Sequence, residues 1–248
     1  MAILETHHLS RRYGSLVALD DLNLKVEAGE CFGFIGPNGA GKTTTIKILA
    51  TLLKPSSGEA RVCGFTVGWQ NTHIRPLIGY VPDFLGAYDD MLVREYLQFF
   101  ASCYGITGSR RTQVVDDALS LTDLGGKAEA PISGLSRGMS QRLAVARVLL
   151  HDPEVLLLDE PASGLDPRAR VEMRELLRTL RDLGKTILIS SHILHELAEL
   201  CTSVGILERG KLVFAGSVQS ALDAARSGTR LECELDGGVD AALSLLGA

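Results

Sequence analysis

Residues 36–44 read Gly-Pro-Asn-Gly-Ala-Gly-Lys-Thr-Thr and satisfy the pattern G-x-x-x-x-G-K-[ST] in full. A short apolar run, Cys31–Ile35, precedes them, and a stretch of helical character follows to about Leu53. That strand–loop–helix setting gives the loop its chemistry. Glycines let successive backbone N–H groups turn inward around phosphate oxygens, and the start of the helix adds partial positive charge. Gly36, Pro37, Asn38, Gly39, Ala40 and Gly41 form the cradle, continued by Thr44. Lys42 reaches the β- and γ-phosphates, and the Thr43 hydroxyl is placed to ligand Mg²⁺.

Working outward, Leu22, Leu24 and Val26 alternate with polar residues as in a strand, and Glu27–Glu30 reads as a turn. The breaker KPSSGE (54–59) ends the helix, and residues 60–67 return to a strand pattern. The middle, about 88–150, is helical, with helices expected at 94–104, 113–121 and 139–150. Two apolar strands follow, Val155–Leu158 and Thr186–Ser190. Between them Asp166-Pro167 starts a helix, Asp as cap and Pro in the first turn. Its apolar face carries Met173, Leu176, Leu177, Leu180 and Leu183, and it stops at Gly184. Apolar strands alternating with helices predict an α/β core whose sheet is covered on both faces. From Arg226 the tail reads as a strand (Leu231, Cys233, Leu235), a turn (236–238) and a short helix (239–246).

The strand Val155–Leu158 ends in Asp159-Glu160. Asp159 is the expected Mg²⁺-side carboxylate, and Glu160 beside it can orient and deprotonate water, work worth roughly 10²–10⁴-fold. Asp159 stands 117 positions beyond Lys42. A minimal βαβ crossover takes only about 30 residues, so the excess predicts an inserted helical unit.

Composition bounds the rest. The chain has 248 residues, 46% apolar and 22% charged, with a net charge of −5, which suits one large domain or two small ones and excludes disorder. The mean hydropathy of +0.16 raises the question of a membrane span. The longest uninterrupted apolar runs are four residues, Leu16–Leu19 and Val155–Leu158 among them, against the roughly 20 that a spanning helix needs. A net negative chain is a poor general nucleic-acid binder, so no nucleic-acid partner is expected. Cysteines 31, 63, 103, 201 and 233 are scattered without a C-x-x-C, and the N-terminus lacks the pattern of a signal peptide. A reducing cytosol is the expected compartment.

With these motifs in place, residues 3–220 resemble the nucleotide-binding domain of the ATP-binding cassette (ABC) transporter family. Tyr13 resembles the aromatic that stacks on adenine, and LSRGMSQR (135–142) resembles the family signature LSGGQ. VLLLDEP (155–161) matches the metal-binding strand with its catalytic Glu160. SGLDP (163–167), with Asp166, matches the loop passing between subunits, and His192 in SSH matches the switch histidine. The resemblance implies a P-loop NTPase with a RecA-like core, an N-terminal antiparallel β subdomain and an α-helical subdomain inserted at about 84–150. It implies ATP and Mg²⁺ as ligands, with Thr43, Asp83 and Asp159 on the metal side and Lys42, Glu160 and His192 in catalysis. It also implies a head-to-tail dimer, homodimeric in the simplest case, in which Ser136 and Gly138 of one subunit face the ATP held by the other. A separate membrane permease, contacted through the segment 80–100, would hold the chain at the cytoplasmic face of the membrane.

Two positions depart from the family pattern. Arg137 replaces the first signature glycine and Met139 the glutamine; Arg137 is open to two placements, facing solvent or reaching toward phosphate. In IGYVPD (78–83), Asp83 stands where a glutamine is usual. Both departures are shared with cassettes of the drug, polyketide and polysaccharide exporter branch. Cassettes of DNA repair or translation carry coiled coils, tandem cassettes or basic linkers that this chain lacks, and the presence of Lys42, Thr43, Glu160 and His192 argues against a cassette that binds ATP without hydrolysing it. His192 and His195 have no third ligand for a metal. His7, His8, His73 and His151 read as surface histidines, Trp69 as packing or as the border of a partner site among Val67–Arg75, and Asp89-Asp90 as a solvated loop. Residues 221–248 read as a tail, the possible start of an accessory unit.

Overall fold

A computed structural model describes residues 2–84, 86 and 90–227. The strand expected of residues 231–235, with its turn and helix, lies outside the described residues. Strands β1 (Ala2–Tyr13), β2 (Leu16–Glu27), β4 (Ser57–Val62) and β5 (Phe65–Thr66) form an antiparallel sheet in the order β2-β1-β4-β5. A second sheet takes β3 (Cys31–Ile35), β6 (Ile78–Val81), β7 (Val155–Leu158), β8 (Thr186–Ser191), β9 (Ser203–Glu208) and β10 (Lys211–Ser217). Its order is β10-β9-β3-β8-β7-β6, parallel except for the antiparallel edge strand β10.

The apolar runs are continuous because this second sheet is buried on both faces. Along β7, Leu156 and Leu158 face one core while Val155 and Leu157 face the other; Cys31 and Ile35 alternate in the same way with Phe32 and Phe34 along β3. The first core takes helices α3 (Val93–Cys103), α4 (Gly108–Leu121), α5 (Arg137–Leu149) and α6 (Pro167–Asp182). The second core is shared by the antiparallel sheet and α1 (Lys42–Leu49). Short α2 (Asn71–Ile74) and α7 (Leu194–Ala198) and α8 (Val218–Ser227) are the other α-helices among the described residues. Val218 and Ala221 of α8 lie in the first core, so the helix runs across the expected start of the tail at 221.

The N-cap at Asp166 is as expected: its carboxylate accepts from the Ala169 N–H at 2.9 Å. Several expectations need correction. Helix α1 ends at Leu49 instead of Leu53, because Thr51 enters the left-handed region (φ 61). Residues 60–67 are two strands, since Cys63 (φ 51) and Gly64 (φ 80) turn the chain between β4 and β5. Strands β6, β9 and β10 were not legible, and α4 and α5 begin earlier than their apolar patterns. Leu183 is exposed past the last turn of α6, and Trp69 is 86% exposed, which goes against its packing reading and leaves the partner-border one. Among the described residues, no helix is long and apolar enough to cross a membrane.

His151 is half-buried, not a surface histidine, and stacks on Tyr104 with ring centroids 4.2 Å apart. Its Nε2 lies 3.0 Å from the Ile78 carbonyl, which can only accept, so the proton sits on Nε2. Nδ1 is buried with no partner among the described residues. Burial lowers the pKa of this imidazole, outweighing the Ile78 hydrogen bond. The unfolded chain takes up a proton as pH falls through about 6.5, whereas the folded chain resists it to lower pH. Stability from this group is therefore present above that range and lost on acidification. Urea midpoints measured from pH 7 to pH 5 should fall more steeply for the wild type than for His151→Gln; parallel slopes would remove His151 as a source.

Candidate nucleotide site

The parallel pairings Ile35–Ser191 and Leu158–Ile189 set the C-terminal ends of β3, β7 and β8 side by side. The phosphate-loop sequence leaves β3 there and turns into α1. Two glycines are sterically required. A Cβ at Gly36 would stand 2.4 Å from the Leu207 carbonyl oxygen, and one at Gly41 (φ 108) would stand 2.8 Å from that of Ala18. The loop therefore lies against β9 on one side and β2 on the other.

Lys42 points back into the loop and is 4% exposed. Its ammonium donates to the carbonyls of Gly36 (2.6 Å) and Pro37 (3.2 Å) and pairs with Glu160 Oε1 at 3.2 Å. Three donors thus meet three acceptors, which a buried ammonium needs in order to remain charged. Next to it the Thr43 hydroxyl donates to Asp159 Oδ1 at 3.0 Å. Ser190 closes the arrangement: its hydroxyl donates to the same Asp159 oxygen at 2.9 Å and accepts the Glu160 N–H at 3.0 Å. Glu160 adopts φ 48, an uncommon backbone state for a residue with a Cβ. The bond to Ser190 supports that conformation, and Nδ1 of His192 lies 3.3 Å from Glu160 Oε2. Burial, with the Asp159 charge adding to it, pushes the Tyr80 phenol up to about 12, so Tyr80 stays neutral beside the site.

Tyr13, Leu16, Val17 and Ala18 line one cleft together with the loop residues Asn38 to Thr44 and Glu160. The Arg11 guanidinium lies 4.7 Å from the centre of the Tyr13 ring. The structure thus brings Tyr13, Lys42, Thr43, Asp159, Glu160 and His192 into one neighbourhood. Ser136, Gly138 and Asp166 do not line this cleft. Ser136 caps α5 by accepting from the Met139 N–H at 3.3 Å, and a Cβ on Gly138 would meet that of Ala169 at 2.6 Å. Asp83 is paired with Arg137 instead of Thr43 or Asp159. Sequence reasoning passed over Ser190; its signal was a hydroxyl at the end of a buried strand next to the strand that carries Asp159.

The residues suit a magnesium nucleotide. Thr43 and Asp159 offer hard oxygen donors, and one carboxylate plus one hydroxyl leaves the remaining positions to phosphates and water, as Mg²⁺ prefers. Among the described residues no cluster of three His, Cys, Asp or Glu side chains offers an all-protein cage.

A family model described as ABC transporter matches residues 19–163. The chain is 40% identical over 224 residues to the Nod factor export ATP-binding protein I of Burkholderia pseudomallei, covering 90% of this chain and 74% of that protein. Its namesake in Cupriavidus metallidurans is 38% identical over 222 residues, covering 90% and 73%. Among solved structures, CbiO1 of Clostridium perfringens, described as part of the ABC transporter complex cbiONQ, superposes with a TM-score of 0.84 at 28% identity, covering 91% of this chain and 92% of its own. An ATP-binding subunit of an ABC transporter gives a TM-score of 0.79 at 28% identity over 99% of this chain and all of that one. With motifs, fold and relatives in agreement, this chain belongs to the ABC transporter family, as an ATP-binding subunit with the ATPase fold.

Proposed function

We propose that this chain is the energy-coupling ATPase of an exporter, a homodimer whose closure on ATP and reopening after hydrolysis drive a separate permease. The observation that carries the reading is the continuous chain of contacts from Lys42 through Glu160 to His192, and from Thr43 through Asp159 and Ser190 back to Glu160. Export as the direction rests on the relatives named for Nod factor export.

Each residue has work in this reading. The adenine stacks on Tyr13, and the phosphates lie along the loop 36–44. Anionic phosphates compete with Glu160 for the Lys42 ammonium, so nucleotide entry frees the Glu160 carboxylate to take the proton of the attacking water. His192 holds that carboxylate from its other oxygen. Thr43 and Asp159 would hold Mg²⁺, which would supply screening of the phosphate charge. Asp83, which the sequence also offers for the metal side through water, is paired with Arg137 instead. The second half of each site comes from the partner copy, whose Ser136 and Gly138 open α5 and whose Asp166 caps α6. The free N–H groups at the start of α5 and its dipole favour an anion there. Docking on the permease through the segment that follows β6 holds the subunit at the cytoplasmic face of the membrane, as a peripheral protein.

Two substitutions check the assignment. Glu160→Gln should lower ATP turnover by at least about 10²-fold, the scale of general-base catalysis, and accumulate an ATP-bound dimer seen by light scattering. Unchanged turnover would remove Glu160 as the base. Ser190→Ala leaves the Glu160 N–H unpaired and releases one hold on Asp159, a loss of about 1–3 kcal/mol, so kcat should fall roughly tenfold while ATP binding changes little. A variant that loses ATP binding and keeps kcat would mean Ser190 serves the loop and not Glu160.

A further inference from the structure

The two departures from the family pattern meet in space. Arg137 Nη2 lies 3.6 Å from Asp83 Oδ1, with both side chains 56% exposed. One turn further along α5, Gln141 is 3% exposed and donates from Nε2 to the Asp83 carbonyl at 2.6 Å. Residues four apart on a helix share a face, so the first two turns of α5 grip Asp83 by its side chain and its backbone together. The same guanidinium lies across Gly164: a Cβ there would stand 2.7 Å from the Arg137 Cζ. Gly138 closes against Ala169 in the first turn of α6. Three segments thus converge on the start of α5: the chain leaving β6, the turn before α6, and α6 itself.

We infer that Arg137 is a positioning residue that clasps Asp83, so that the chain leaving β6, the start of α5 and the turn at Gly164 move as one body. A push on the segment after β6 then reaches Ser136 and Gly138, the residues presented to the partner copy's ATP. This inference rests on the dimer reading above for its consequence, though not for the clasp itself. Magnitudes bound the effect. An exposed ion pair is worth about 0–1 kcal/mol, or up to roughly fivefold in an equilibrium, and salt weakens it. The hydrogen bond from Gln141 still restrains the Asp83 backbone when the pair is broken, so the pair tunes the coupling and does not hold the fold.

The test is a double-mutant cycle in the full chain, on a Glu160→Gln background, reading the ATP concentration at half-maximal dimerisation by light scattering. Asp83→Ala and Arg137→Ala should each raise that concentration about two- to fivefold, and the double variant should do no worse than either single one. The exchanged pair, Asp83→Arg with Arg137→Asp, should recover most of the loss, and about 0.5 M salt should shrink every difference. Additive losses, or an exchanged pair that recovers nothing, would overturn the clasp. So would an altered Mg²⁺ requirement in Asp83→Ala with wild-type behaviour in Arg137→Ala, which would assign Asp83 to the metal. If the Glu160→Gln parent does not dimerise with ATP at all, the dimer reading fails. The clasp is then judged by hydrogen exchange over residues 78–84, which Arg137→Ala should accelerate and which, if unchanged, would overturn it.

Discussion

A single buried ammonium organises this protein. Lys42 has almost no contact with water, so its charge is sustained by two loop carbonyls and the Glu160 carboxylate. That demand explains the loop's shape, because the carbonyls of Gly36 and Pro37 must turn inward while the chain squeezes between Leu207 and Ala18. It also explains why the end of β7 lies next to the end of β3's loop. In the proposed reading a phosphate takes the place of Glu160 at the ammonium, which leaves the carboxylate held by His192 alone.

The parallel sheet is what delivers the other groups. Neighbouring strands in register end at the same level, so Asp159, Ser190 and His192 come together although more than thirty positions separate the first from the last. Burial on both faces gives those strand ends little freedom to shift. It also accounts for a 46% apolar composition without a spanning helix among the described residues: two cores, one on each face of the sheet, take up the apolar side chains. Some apolar surface remains outside, with Trp69 and Phe84 the most exposed large apolar side chains among the described residues.

The start of α5 is the second organising point. Ser136 caps it, Arg137 reaches Asp83 and Gly164, Gly138 admits Ala169, and Gln141 holds the Asp83 carbonyl. Glycine at 138 is thus a packing requirement within this chain, apart from any role toward a phosphate.

Local signals were strong enough to read from the amino-acid sequence alone. The phosphate loop, the apolar strands, the Asp-Pro helix start and the acidic pair after β7 each depend on neighbours a few positions away. So do the loop cradle and the identities of Lys42, Thr43, Asp159 and Glu160. Contacts between distant segments were decided only by the tertiary structure. The short strand β6 exists because β7 pairs with it, and β10 because β9 does. Ser190 joins the site because β8 lies beside β7, and Arg137 turns to Asp83 because α5 packs against the end of β6. Trp69 is exposed because none of the described elements covers it, which hydropathy alone cannot foretell. Periodicity and spacing record what a residue's own stretch of chain requires; which strand lies beside which, and hence which side chains meet, is set by the packing of the whole sheet and its two cores.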